Sequence, residues 1–271
     1  MSSIMFNDRE IFYTWASQSE DNKPTFILLN GMVSDSRVFD YFYADLCKKG
    51  YGLLTIDHTN RGASSYLTTP LPYDELVGEI KAVVEAVGVE QPIWIGQSAC
   101  VGVAIRLAAE IPSKGLVLES PVFTYRNAPR IKMFKSIMEK NLEDETLLRT
   151  ANFLGFICLS SQFLEKNPHF VMGMLMMIRQ LYTHNQFKNV WVQVMNSFID
   201  DTQLVAALSC PTLVLYGREE FLQPLHLTKE FLSHSPYPVD YHELNTGHFI
   251  ISEAPNAMFD LMDQFAQKLD R

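Results

Sequence analysis

Cysteine is scarce in this sequence. Its 271 residues hold four, Cys47, Cys100, Cys158 and Cys210, with no CxxC pair and no Cys/His cluster at zinc spacing. That spacing excludes a disulfide framework and a structural zinc site. A chain of this length buries enough surface to need neither, so reduced, buried thiols are expected. Positive charge is also short, with 22 Lys and Arg against 31 Asp and Glu for a formal net charge of −9. There is no basic stripe through which counterion release could drive nucleic-acid binding, and the charge disfavours docking on anionic lipid. No apolar run approaches the roughly 18 residues of a membrane span. The segment Met1 to Arg9 lacks the basic start and apolar run of a signal peptide, so a cytoplasmic location is expected. Internal repeats and low-complexity tracts are missing too. Asp200-Asp201 has no partner carboxylates at metal spacing and reads as a solvated cap or loop. No metal and no cofactor is implied, and nothing in the sequence bears on oligomeric state.

What is present is an alternation of buried strands and amphipathic helices. Thr25 to Asn30 is a nearly unbroken apolar run ending at Gly31, the pattern of a strand buried on both faces. Ser36 to Lys49 has helical spacing and stops at Gly50. Further strands are predicted at Tyr51–Asp57, Pro92–Gly96, Gly115–Glu119, Pro211–Tyr216 and Val239–Leu244. Helices are predicted at Asp74–Val87, where Leu76, Ile80, Val83, Val84 and Val87 share one face, at Ala99–Glu110, and at Pro255–Leu269. Ile11 to Trp15 reads as an antiparallel edge strand. The fold class is therefore α/β, a mainly parallel sheet covered on both faces.

The rhythm breaks between Val122 and Leu208, where helical periodicity dominates. Seven of the twelve methionines fall there. The segment is too long for a loop and reads as a helical cap over the strand ends, with 1–121 and 209–271 as the core. Met172-Gly173-Met174-Leu175-Met176-Met177 reads as helix core or as substrate-facing, because methionine lines adaptable apolar pockets. Met172 and Met176, with Asn30, are the expected pocket residues.

In open parallel sheets ligands bind outside the carboxyl ends of the strands, so the residues after each strand carry the chemistry. After the third core strand comes Gly96-Gln97-Ser98-Ala99-Cys100. A strand-turn-helix with serine at its apex exposes the hydroxyl and places a helix start behind it. Cys100 stands where the G-x-S-x-G pattern has glycine. Gly217-Arg218-Glu219-Glu220 follows the fifth strand, and Asn245-Thr246-Gly247-His248 follows the sixth. Serine, acid and histidine thus occur in that order. A histidine would take the serine proton, and an acid would hold the imidazole. Glu219 and Glu220 both compete for the acid, with Glu119 an outside candidate. The remaining histidines, at 58, 169, 184, 226, 234 and 242, read as surface or packing residues.

On these motifs the chain resembles the α/β-hydrolase superfamily over most of its length. Leu29-Asn30-Gly31-Met32 is similar to that family's first oxyanion segment, with Asn30 in place of histidine. Asp57-His58-Thr59-Asn60-Arg61-Gly62-Ala63-Ser64-Ser65 resembles its D-x-R-G-x-G-x-S loop, with one or two extra residues. The resemblance implies Ser98 as nucleophile, His248 as base and Glu220 as acid. It also implies the N–H groups of Met32 and Ala99 as the oxyanion hole. The expected function is hydrolysis of a carboxylic ester or thioester with a hydrophobic acyl group. Acyl transfer from a hydroxyacyl carrier-type donor on the same residues, or a non-catalytic ligand receptor on this fold, are the alternatives. The expected partner is a small hydrophobic acyl substrate, with neither nucleic acid nor a membrane span.

Overall fold

The computed structural model describes residues 1–18 and 23–269. Its strands are β1 (Ser2–Phe6), β2 (Arg9–Ala16), β3 (Thr25–Leu29), β4 (Gly52–Asp57), β5 (Ile93–Gln97), β6 (Gly115–Glu119), β7 (Thr212–Gly217) and β8 (Val239–Leu244). They form one sheet in the order β1-β2-β4-β3-β5-β6-β7-β8, parallel from β4 to β8 and antiparallel at β1 and β2. The five strands from β3 to β7 are buried at every position, which is why each reads as a continuous apolar run. β8 is an edge strand, and its charged residues Asp240 and Glu243 keep that edge soluble.

Helices cover both faces. α1 (Asp40–Lys48) and α12 (Pro255–Leu269) bury Phe42, Leu46, Met258, Met262 and Phe265 on one face. α2 (Tyr73–Val87), α3 (Val101–Glu110) and α10 (Leu225–Leu232) pack on the other through Ile80, Val83, Val103, Leu107 and Phe231. The helix expected from Ser36 begins as a 3-10 turn at Ser36–Phe39, capped by Asp35, and becomes α-helical at Asp40. α11 (Ile250–Glu253) is a single turn after His248.

One expectation needs correction. The Ile11–Trp15 segment is antiparallel, pairing Phe12 with Asp57, but it is not the edge, because β1 covers its outer side. β1 escapes hydropathy reading since only Ile4 and Phe6 are partly buried. The signal lay in the turn: Asn7 and Asp8 both take left-handed backbone, at φ 45° and 61°, the requirement of a tight hairpin.

Between β6 and β7 the chain forms α4 (Ala128–Asn141), α5 (Leu148–Cys158), α6 (Ser161–Lys166), α7 (Phe170–Leu181), α8 (His184–Ser197) and α9 (Thr202–Ala206). These helices share an apolar core of their own, including Phe134, Leu154, Ile178 and Trp191, which reaches down to Val33 and Ala99 on the sheet side. None of the helices among the described residues is long and apolar enough to cross a membrane.

Candidate active site

β5 ends in a turn that leaves little room. A Cβ on Gly96 would lie 2.7 Å from the Ala104 Cβ and 2.9 Å from the Val101 Cα, so the strand and α3 can cross here only without a side chain. Ser98 follows with φ +48°, a left-handed conformation unfavourable for a non-glycine residue and typical of functional positions. Cys100 takes the second small position of the motif. It is buried, with Sγ 3.6 Å from His58 Nε2. Burial pushes the thiol up to about 12 and His58 down to about 3, so both are neutral at pH 7. His58 Nδ1 faces the Thr59 carbonyl at 3.2 Å. The pair packs beneath the turn, as expected for a packing histidine.

His248 stands opposite. Its Nε2 lies 2.7 Å from Ser98 Oγ and its Nδ1 lies 2.6 Å from Glu220 Oε2. The His248 main-chain N–H donates to the Cys158 carbonyl at 2.7 Å. A Cβ on Gly247 would lie 2.5 Å from that same oxygen, so glycine lets the histidine loop dock on the end of α5. Burial alone would lower the His248 pKa. The charge and hydrogen bond of Glu220 outweigh it, Glu119 adds to them, and the net shift is upward.

The other two acids lie elsewhere. Glu219 Oε2 accepts from the N–H and Oγ of Ser161, at 2.9 and 2.8 Å. Glu119 is fully buried at the end of β6, where Oε1 accepts from Ile251 N at 3.1 Å. Burial chiefly pushes its carboxyl up to about 7.

The segment after β3 borders the same space. Gly31 N donates to Gln97 Oε1 at 2.8 Å, and Arg61 Nε donates to the Gly31 carbonyl at 3.3 Å. Met32 and Ser98 both line a cavity of about 650 Å³, within the size range of small-molecule sites. Its apolar wall comes from Phe134, Leu154, Phe170, Met174, Met177 and Val194, and Asp35, Arg37 and Asp40 are polar residues that also line it. Ala99, next to Ser98, is buried, and its carbonyl accepts from Ser197 Oγ at 2.7 Å.

Three expected pocket residues are misplaced. Met172 and Met176 are 52% and 67% exposed on the outer face of α7. Residues 170, 173, 174 and 177 face the cavity instead. An i,i+4 pair was the right spacing, but α7 is apolar from Phe170 to Ile178, and only Arg179, three residues after Met176 and seven after Met172, marks the outer face. Asn30 is fully buried, and its Nδ2 donates to the Ser34 carbonyl at 2.5 Å. It shapes the loop and does not border the cavity. Sequence reading missed Gln97 as a partner of Gly31. Its position beside Ser98 was the only clue.

Comparison with known proteins agrees with this architecture. Residues 20–247 match the family described as serine aminopeptidase, S33. The chain is 25% identical over 253 residues to the AB hydrolase superfamily protein YisY of Bacillus subtilis (strain 168), covering 89% of this chain and 90% of that one. MGS-M2, an α/β-hydrolase enzyme from a Medee basin deep-sea metagenome library, superposes with a TM-score of 0.83 at 20% identity, over 96% of this chain and 95% of that one. Est816, described as an N-acyl homoserine lactone degrading enzyme, gives 0.81 at 15% identity, over 97% of this chain and all of the other.

Proposed function

Since the chain belongs to the serine aminopeptidase S33 family of α/β hydrolases, we propose that it is a serine hydrolase cleaving a carboxylic ester or thioester with a hydrophobic acyl group through a Ser98 acyl-enzyme. The observation that carries this reading is the hydrogen-bonded series Ser98–His248–Glu220, whose Ser98 and His248 line a largely apolar cavity. Ser98 Oγ attacks the acyl carbon while His248 Nε2 takes its proton. His248 then returns the proton to the leaving alcohol or thiol. Water activated by the same nitrogen releases the acid. Glu220 fixes the tautomer with Nδ1 protonated and stabilises the imidazolium. The N–H groups of Met32 and Ala99 receive the developing oxyanion, an interaction in which one donor is worth roughly 3 kcal/mol.

In this reading residues 122–208 act as a cap, and the acyl group lies against Met174, Met177 and Leu154. An ester or lactone bond also fits Est816, whose described substrate contains a cyclic ester. The test is turnover of p-nitrophenyl acyl esters by the wild type and by Ser98→Ala, with product analysis. We expect free acid from the wild type and loss of turnover in the variant. Undiminished turnover by Ser98→Ala would sink the proposal.

A further inference from the structure

Arg61 is a buried cation without a carboxylate. Its side chain is sealed from solvent, and among the described residues it forms no ion pair. Buried charges are normally paired, because leaving one alone in a low-dielectric interior is expensive. Arg9, also buried, obeys that rule by sitting 2.6 Å from Glu75 and 3.5 Å from Glu79. Carboxylates in the neighbourhood of Arg61 are occupied. Asp57 accepts from Ser36 N at 2.9 Å and Ala63 N at 3.1 Å, and Asp35 binds Arg37.

Arg61 gives protons to main-chain carbonyls instead, and the Tyr182 hydroxyl also lies beside its guanidinium. Nη1 donates to Asn60 O at 2.9 Å, and Nε to Gly31 O at 3.3 Å. The second contact has a consequence for the site. The Gly31 carbonyl shares a peptide with the N–H of Met32, and that peptide is trans. Carbonyl and N–H of a trans peptide point in opposite directions. A cation on Gly31 O therefore turns the Met32 N–H to the far side. The preceding N–H, that of Gly31, is held by Gln97 Oε1 at 2.8 Å, and Gln97 directly precedes Ser98. The loop is thus tied to the nucleophile's own turn on one side and to a buried charge on the other.

We infer that Arg61 is a positioning residue for the oxyanion donor, fixing and polarising the Gly31–Met32 peptide so that the Met32 N–H meets charge developing on the substrate oxygen. This rests on the proposed roles of Ser98 and Met32. The series runs from guanidinium to carbonyl, then from N–H to oxyanion, and hydrogen bonds in series strengthen one another where the dielectric is low. The missing carboxylate fits this role, since a close anion would cancel the field that the peptide transmits. Charge is absent from the bound ester and present in the tetrahedral state, so the effect belongs to the transition state and not to substrate binding.

The test compares Arg61→Lys and Arg61→Gln with the wild type, using p-nitrophenyl butyrate and phenylboronic acid, whose adduct on a nucleophilic serine is tetrahedral and anionic. We expect kcat to fall about 10-fold in Arg61→Lys and about 100-fold in Arg61→Gln, with KM held within about 2-fold and boronate affinity falling in parallel with kcat. A role in folding alone would lower the melting temperature without that matched loss. Arg61→Lys keeps the cation and decides the matter if Arg61→Gln does not fold. A folded Arg61→Lys with wild-type kcat and boronate affinity, or with its loss confined to KM, overturns the inference. Failure of the underlying reading looks different: the wild type would not bind the boronate, and Ser98→Ala would stay active.

Discussion

Glu220 and His248 meet at 2.6 Å with both side chains sealed from solvent, 0% and 2% exposed. Of the three candidate acids, Glu220 is the one that lies within hydrogen-bond distance of the imidazole among the described residues. Glu220→Gln should keep the shape of the site but remove the charge, and with its amide oxygen held by Leu222 N it turns an NH2 toward Nδ1 and favours the wrong tautomer. We expect kcat to fall by about 1,000-fold or more. Glu219→Gln, altering only the contacts to Ser161, should stay within about 3-fold of wild type. Steady-state kinetics on one ester checks both.

The same contact sets the acid limb of the pH profile. Only neutral His248 can accept the Ser98 proton. Glu220 raises the His248 pKa above its ordinary 6.5 against the effect of burial, so kcat/KM should rise with a midpoint above 6.5. In Glu220→Gln the opposing effect of burial prevails, and the midpoint of the residual activity should move down. A profile from pH 5 to 9 for each protein measures this.

Glu119 should make stability depend on pH. Its carboxyl is pushed from an ordinary 4.5 up to about 7 by burial, and its Oε2 has no hydrogen-bond partner among the described residues. The folded state therefore holds this proton more tightly than the unfolded state. The contribution is fully present below about pH 4.5 and is lost as pH rises through about 7. Glu119→Gln removes the ionisation. Its melting temperature relative to wild type should be higher at pH 8 than at pH 5.

The cavity wall predicts acyl-length selectivity. Met177→Trp should fill the inner face of α7 and reduce kcat/KM for octanoyl esters at least about 10-fold while sparing acetyl esters. Met176→Trp, on the outer face, should leave both unchanged. A series of p-nitrophenyl esters measures the ratio.

Gly96→Ala tests the elbow as a packing constraint. The added methyl would meet the Ala104 Cβ at 2.7 Å and the Val101 Cα at 2.9 Å, and backbone cannot move aside cheaply. Destabilisation of about 1–3 kcal/mol is expected, read as a shift in the denaturant midpoint.

Much of this was legible in the sequence, and for a physical reason. Strands buried on both faces must be apolar throughout, so β3 to β7 announce themselves. The residues ending β5, β7 and β8 then lead to Ser98, Glu220 and His248 in chain order. Legibility fails where burial is partial or uniform. β1 exposes most of its side chains and shows only through the Asn7-Asp8 turn. α7 is apolar from Phe170 to Ile178, so the turns that carry Met174 and Met177 look like those that carry Met172 and Met176, and only Arg179 marks the outer face. The partners of Gly31 were out of reach as well. Gln97 is 66 residues away and Arg61 is 30, and single-sequence patterns do not report such pairings.

The central claim is that Ser98 is the nucleophile, and an active-serine fluorophosphonate tests it most directly. Peptide mass spectrometry of the treated wild-type protein should locate one stable adduct on Ser98, formed slowly or not at all in His248→Ala. An intact protein that takes up no probe, or carries it on another residue while Ser98 stays unmodified, would contradict the account.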